Sequence, residues 1–353
     1  MKIIHVVNSL AQGGAEMTLV RLINNSSESH LIITILKNYS LLNKKKKPIK
    51  VISIFPLTLK KIKHLNYQIN SFSPDIFQGW MYHGDLLSSL FGIIYRKKIF
   101  WNLRHGKMSF KYSSKKTIIL RALLSILSYF IPSKIISCSW EGLFTHKKIG
   151  YSSKKIIVIP NGIDQIYKKN IADLNFSKKR EITIASIGRD NPQKGRSYFI
   201  KIIKELSSDL KVKGFVVGRG VTSSLEIKNA IEKHNIHINL YESYENINEI
   251  FKMIDILLLT SNFGEGCPNV LIEAMQSRVL CFSTDVGDAK FILNNEQLLI
   301  PDNNSLKSKN IISNLINNPT EYKKIIEKNY LRSNKVFSPK IMVEKYKNTW
   351  KSN

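Results

Sequence analysis

Two α/β domains with parallel sheets are what this sequence predicts, on three observations. Short apolar runs alternate with amphipathic stretches from end to end, the pattern of strands buried on both faces and joined by covering helices. A polar seam divides the chain near its middle: PNGID at 160–164 is followed by QIYKKNIADLNFSKKR and then a fresh strand at Glu181. A Pro-Asn-Gly turn followed by a charged stretch reads as a domain linker. At 353 residues the chain also exceeds what one core organises, so about two domains are expected.

The elements follow in order. KIIHVV is the first strand; His5 and Asn8 interrupt the apolar run, and it does not read as a secretion signal. The helix candidate AEMTLVRLINN comes next, then the strands LIITIL, IKVISI and DIFQG, and the helix GDLLSSLFGIIY. KIFWNL, the helix KKTIILRALLSILSYF, SKIISC and KIIVIP complete a domain expected over 1–163. A second, over 164–335, takes EITIASIG, GRSYFIKIIKELSS, VKGFVVG, TSSLEIKNAIEKHN, IHINLY, DILLLT, VLCFST and QLLI. The final segment, 336–353, is helical from Ser338 and Pro339, a serine-proline start. Its stripe of Ile341, Met342, Tyr346 and Trp350 must dock. Either domain could receive it on sequence alone, and the N-terminal one is the expected partner.

Composition narrows the function classes. The three cysteines are odd in number and lack metal-ligand spacing, which excludes a disulfide scaffold and fits a reduced, cytoplasmic setting. The most apolar stretch, Thr117 to Ile131, contains Arg121 and falls short of the roughly 20 residues a spanning helix needs. It reads as a core helix or as an interfacial helix with basic flanks. Net charge is +28, and residues 1–160 hold 25 Lys and Arg against 5 Asp and Glu, whereas the remaining 193 hold 29 against 21. The first half therefore seeks an anionic partner. Its aromatics do not interleave with its lysines as base-stacking requires, so no nucleic acid is expected. The expected partner is the anionic inner face of the cell membrane, met peripherally through Lys44 to Lys47, Lys60, Lys61 and Lys63.

The chemistry concentrates in SNFGEGCPNVLIEAM, Ser261 to Met275, where Glu265 and Glu273 stand eight positions apart. The strand before it places this loop at a carboxyl sheet edge, where open parallel sheets bind ligands. Pro268 suits the first turn of a helix, with Cys267 at about the N-cap, a poor side-chain cap. The amides of Asn269, Val270 and Leu271 would then be left unpaired as an anion site. Glu273, a turn further in, can accept hydrogen bonds from two vicinal hydroxyls, while Glu265 lies beside whatever hangs from the bound phosphate. Phosphate, ribose and sugar sites in that order describe a nucleotide sugar.

This block resembles the E-x7-E signature of retaining glycosyltransferases of family 4, whose fold is GT-B, as found in bacterial surface-polysaccharide synthesis. Four other segments are similar to that family in the same chain order: GGAE (13–16), NGID (161–164), GRDNPQKG (188–195) and FVVGRG (215–220). The resemblance implies two Rossmann-like domains facing across a cleft, with the donor, a UDP-sugar or else a GDP-sugar, held mainly by the second. Arg189 and Lys194 would bind the diphosphate, with Gly13, Gly14 and Gly218 in turns that approach the donor closely. Glu273 would hold the ribose and Glu265 the transferred sugar. His105 matches the family's active-site histidine; His83 and Asp85 are acceptor-side candidates, Asp85 alternatively a helix cap. The acceptor would be lipid-linked or a polysaccharide. No Asp-x-Asp motif occurs, so neither a metal nor another cofactor is implied. Phe291, where the family commonly carries glutamate, and Arg219 depart from the pattern. A nucleotide-sugar epimerase or hydrolase of the same fold is the alternative, and a basic nucleic-acid-binding protein the distant one.

Overall fold

The computed structural model describes residues 1–11, 13–41, 46, 48–106, 114–164, 167–176, 181–242 and 247–352. Lys44, Lys45 and Lys47 of the expected basic tract lie outside the described residues, as do linker positions 165–166 and 177–180. The chain separates into two compact units, Met1–Asp164 with Ser338–Asn353, and Gln165–Phe337.

The first unit runs β1 (Lys2–Val7), α1 (Gly14–Asn25), β2 (Ser29–Thr34), β3 (Lys50–Ser53), α2 (Leu59–Phe72), β4 (Ile76–Gly79) and α3 (Met81–Ile94). It continues with β5 (Lys98–Leu103), α4 (Lys115–Leu127), β6 (Lys134–Ser137), α5 (Trp140–Lys148) and β7 (Ile156–Val158). Its strands pair in parallel in the order β3-β2-β1-β4-β5-β6-β7. From β1 the chain steps outward one way, then returns to β4 and steps the other way. Right-handed crossovers therefore put α1 on one face and α2 to α5 on the opposite one. The cores agree: Leu19, Leu22 and Ile23 of α1 share a cluster with Val7 and Phe100. Tyr82 of α3, Leu124 of α4 and Leu143 of α5 share another with Trp101 and Ile135. Helix α2, absent from the sequence-level helix candidates, buries only Leu65 and Ile69, an apolar stripe too thin to read from spacing.

The second unit runs β8 (Ile182–Ile187), α6 (Arg196–Ser207), β9 (Val212–Val217), α7 (Leu225–His234), β10 (Ile238–Tyr241), α8 (Ile247–Met253) and β11 (Ile256–Leu259). Then come α9 (Asn269–Gln276), β12 (Leu280–Thr284), α10 (Ala289–Leu293), β13 (Leu299–Ile300), α11 (Ser305–Ile316) and α12 (Pro319–Val336). The six strands are parallel in the order β10-β9-β8-β11-β12-β13. The predicted α/β class, parallel sheets covered by helices, is thus what the chain adopts in both units.

The last helix, α13 (Pro339–Lys351), belongs to the first unit. Ser338 caps it by accepting the Ile341 N–H. Its buried Met342, Val343, Tyr346 and Trp350 join the α1 cluster. The Trp350 indole donates to Gln78 Oε1 at 2.9 Å, and the Asn102 amide lies 2.6 Å from the Tyr346 hydroxyl. Each fully buried aliphatic side chain there contributes about 1.5–3 kcal/mol, enough to seat a helix whose own propensity would not.

Candidate functional site

Parallel strands share one carboxyl edge, and in the second unit four connections leaving that edge interlock. The segment after β8, GRDNPQKG, meets the turn after β9: the Gly188 N–H donates to Val217 O and the Asp190 N–H to Arg219 O, both at 2.8 Å. Gly218 makes that approach possible. Its φ is +150°, and a Cβ on it would stand 1.9 Å from the Gly188 carbonyl oxygen. The same segment meets the loop after β11, where the Asn262 N–H donates to Gln193 O at 2.8 Å. That loop in turn meets the one after β12, the Asp288 N–H donating to Gly266 O at 2.9 Å. Gly218→Ala is expected to lower stability by about 1–3 kcal/mol through backbone strain. Thermal melting checks this; an unchanged variant would show that the two turns do not depend on each other.

Lys194 and Glu265, 71 residues apart, form the centre of this loop cluster. Lys194 Nζ lies 2.6 Å from Glu265 Oε1, and the Ser261 hydroxyl donates to the same oxygen at 2.8 Å. Glu265 is 8% exposed. Burial pushes its carboxyl up, but the Lys194 charge and hydrogen bonds from Lys194, Ser261 and Gln193 outweigh burial and hold it below its ordinary range. At neutral pH Glu265 is therefore ionised. Arg189 is exposed and has no hydrogen-bond or ion-pair partner among the described residues. Lys194 is half-buried. The two cations expected on a diphosphate thus differ, one engaged with a carboxylate and one open.

A cation that the sequence reading missed lies underneath. Arg196 is buried, donating to the Ser186 hydroxyl and, at 2.5 Å, to Gly188 O. Burial lowers its pKa to about 10, against Asp190 and Glu265, which raise it. It stays charged and braces the turn that carries Arg189 and Lys194. One signal could have revealed it: an arginine in the first turn of a helix opposes the helix dipole and so needs acceptors of its own.

Helix α9 begins one residue later than expected. Pro268, not Cys267, holds the N-cap place, with φ −68° and ψ 99° and no side-chain cap. Its carbonyl already accepts the Leu271 N–H at 3.1 Å, which is what defines a cap position. Asn269 and Val270 are the first two helical residues, ahead of the intrahelical ladder, and both are half-buried. Glu273, also half-buried, follows on the next turn. A cavity of about 210 Å³ opens beside the cluster, lined by Ser261, Asn262, Thr284, Asp285, Pro301 and Asp302 among others. Phe291, the departure from the family pattern, packs under the Arg332 guanidinium at 5.2 Å and edge-on to Phe337 at 6.1 Å.

In the first unit Gly13 caps α1 in extended backbone and Gly14 opens the helix. Arg104 donates to Thr18 Oγ1 at 2.8 Å and Asn161 Oδ1 at 2.6 Å, tying the end of β5 to α1 and to the NGID segment. His105 comes next, half-buried, its ring 6.1 Å from Tyr82. His83 is exposed on α3.

Asp85 requires correction. It is neither an exposed acceptor-side group nor a cap: Trp80 holds the N-cap position, and Asp85 is fully buried. Its Oδ1 accepts the Asn102 N–H at 2.9 Å. The reason is local, because β4 pairs with β5 only as far as Phe100, and Asp85 supplies an acceptor beyond that point. Burial pushes its carboxyl well above the ordinary range, against the Asn102 hydrogen bond.

Three comparisons bear on this arrangement. The fold matches that of Anabaena Alr3699/HepE, solved in complex with UDP and glucose, with a TM-score of 0.83 over 99% of both chains at 18% identity. It also matches an S. aureus TarM mutant, solved with Fondaparinux, alpha-GlcNAc-glycerol and UDP, with a TM-score of 0.77 over 99% of this chain and 100% of that one at 14% identity. These are GT-B structures, and GT-B is the fold of this chain. Among curated proteins, the GPI3 subunit of the Saccharomyces cerevisiae phosphatidylinositol N-acetylglucosaminyltransferase is 27% identical over 162 residues, 43% of this chain. The match spans only 35% of the yeast subunit's length. Residues 168–332, which contain every loop of the cluster from Gly188 to Glu273, match the family described as glycosyl transferases group 1.

Proposed function

We propose that the chain is a retaining glycosyltransferase that moves a sugar from a nucleoside diphosphate, uridine favoured over guanosine, to a lipid-linked or polysaccharide acceptor. The pathway we assign is bacterial surface-polysaccharide synthesis. The observation that carries this reading is the loop cluster at one sheet edge, where an open arginine, a lysine paired with a buried glutamate and an uncapped helix start converge. Arg189 and Lys194 neutralise the diphosphate, whose charge grows as the sugar leaves, and fixed cations aimed at developing charge are the strongest lever such a site has. Asn269 and Val270 add helix-start donors, and Glu273 takes the ribose hydroxyls. Glu265 exchanges Lys194 for the transferred sugar as the donor enters, and His105 is a second residue that we assign to catalysis. Gly13, Gly14 and Gly218 keep Cβ atoms out of the donor's way. A UDP-bound relative of the same fold supports uridine.

Two cations and a helix start can serve a diphosphate without metal, so turnover is expected to persist in EDTA. Purified protein incubated with UDP-sugars should yield product only with acceptor present, and its anomeric configuration should match the donor's. Free sugar or an epimer formed without acceptor would instead establish the hydrolase or epimerase. We place the reaction on the cytoplasmic face of the cell membrane, supported by the net charge of +20 over residues 1–160. Among the described residues no helix is long and apolar enough to cross a membrane, and peripheral attachment is the form we assign.

A further inference from the structure

We infer that the outer surface of α3, α4 and α5 is a docking face for an anionic lipid bilayer, entered by apolar side chains rather than held by charge alone. The inference rests on the membrane part of the reading above and gives it a surface and a mode.

The observation is that all three helices carry apolar side chains outward as well as inward. A helix on a sheet normally buries its apolar stripe and shows water its polar one, as α6 does with Phe199, Ile200, Ile202 and Ile203 buried. Helix α3 buries Gly84, Asp85, Ser88, Ser89 and Gly92 beside Tyr82 and packs Leu87 and Phe91 partly inward. Its Leu90, Ile93 and Ile94 are left 53–61% exposed. Helix α4 buries Arg121 and Ser125 beside Leu124, and leaves Ile119 and Ile126 more than 60% exposed, with Leu123 at 44%. Helix α5 buries Gly142 and His146 and exposes Trp140 and Phe144.

Several of the buried polar groups have defined partners, so the polar inner positions belong to the packing. Asp85 accepts the Asn102 N–H at 2.9 Å, the Trp101 indole donates to Ser89 Oγ at 2.8 Å, and the Tyr82 hydroxyl lies 2.9 Å from His146 Nε2. All three helices lie on one face of the seven-stranded sheet, so their outward stripes form a common surface. Large exposed hydrophobic side chains are also concentrated here: among the described residues 17 lie in the first unit and 5 in the second.

Charge selects the occupant. From residue 81 to 155 the sequence holds 14 Lys and Arg against 2 acids. Of those acids Asp85 is buried and Glu141 half-buried. Basic residues stand at the helix ends: Arg96 to Lys98 after α3, Lys115 and Lys116 opening α4, Lys147 and Lys148 closing α5. An apolar face framed by cations fits acyl chains beneath anionic headgroups. A second copy of the same face would instead bring like charges together. With 14 residues or fewer, none of these helices can span a bilayer, so they lie along the interface.

The protein carries its own reporter. Trp80, Trp101 and Trp350 are buried, and only Trp140 is exposed. The full chain, mixed with vesicles of phosphatidylcholine with or without phosphatidylglycerol, should float with the anionic vesicles. Lipids brominated in the acyl chain should quench its Trp140 fluorescence, and part of the binding should survive high salt. Leu123→Gln with Ile126→Gln, both at exposed helical positions, should lower partitioning about tenfold or more while leaving the UDP thermal shift unchanged.

Wild type that binds no vesicle, a double variant that floats as well as wild type, or flotation without bromine quenching would each overturn the inference. So would self-association of wild type that the same variant abolishes without any vesicle binding. A UDP shift without flotation removes this surface and leaves the proposed reaction standing. Flotation without a UDP shift does the reverse.

Discussion

Lys194→Met is expected to cut turnover by about 10²–10³-fold, the usual cost of deleting one preorganised group that meets developing charge. The same change uncovers Glu265, which gives the prediction a second readout. In the wild type Lys194 holds the Glu265 carboxyl below its ordinary value of 4.5 despite burial. The pair therefore stabilises the fold above the ordinary carboxyl range, and that contribution fades as pH falls through the depressed value. In Lys194→Met burial is opposed only by the Ser261 and Gln193 hydrogen bonds, and the carboxyl moves up. The variant's stability deficit is then largest at neutral pH and narrows in acid, as Glu265 takes up a proton.

Breaking a fully buried pair costs about 3–5 kcal/mol. Lys194 keeps 19% of its side chain exposed, so a deficit of about 2–3 kcal/mol, or about 5–10 °C in melting, is expected. Adding Glu265→Gln should restore melting but not turnover. Arg189→Ala, at an exposed side chain without partners among the described residues, should cost turnover alone. Combined with Lys194→Met it should fall short of the product of the two losses, because both serve one diphosphate. Melting curves at about pH 7 and pH 5, with single-turnover rates, check all of this. A deficit independent of pH would mean that Lys194 does not set the charge of Glu265.

The fold class was legible because it depends on periodicity: short apolar runs such as Ile182–Ile187 and Ile256–Leu259 can be little else when each is followed by a helix. The loops of the site were legible as motifs, since Gly218 takes a backbone conformation that other residues rarely adopt and Pro268 has its φ fixed by its ring. What stayed hidden depends on direction. Spacing cannot say which side of α3 faces the sheet, because its Leu and Ile residues and its Gly and Ser residues each form a stripe. Asp85 was accordingly read as an acceptor-side group or a cap, and of the outward apolar surface only the α4 part was anticipated. The Lys194–Glu265 contact joins loops 71 residues apart, and Arg196 is buried by neighbours from β8. Both follow from tertiary packing, which a one-dimensional pattern does not contain.

Glu273→Ala is expected to weaken UDP binding about 10–100-fold while moving the melting temperature little. A carboxylate that accepts hydrogen bonds from two hydroxyls contributes about 1.5–3 kcal/mol, each 1.4 kcal/mol being a factor of ten. Its structural contribution is smaller. Glu273 is half-buried in the middle of α9, an eight-residue helix with no acid in its first turn, so the helix dipole gives it less than the roughly 0.3–1 kcal/mol of a first-turn carboxylate. The two effects separate by measurement, with calorimetric titration of UDP against wild type and variant beside their melting curves. Glu273→Gln keeps an acceptor without the charge and should fall between the two. Glu273→Asp keeps the charge but withdraws it by one methylene, and should bind nearly as poorly as alanine if reach to the ribose is what matters. Unchanged UDP affinity with a sharp fall in melting would make Glu273 a residue of the fold, and the ribose contact would have to be sought elsewhere along the same sheet edge.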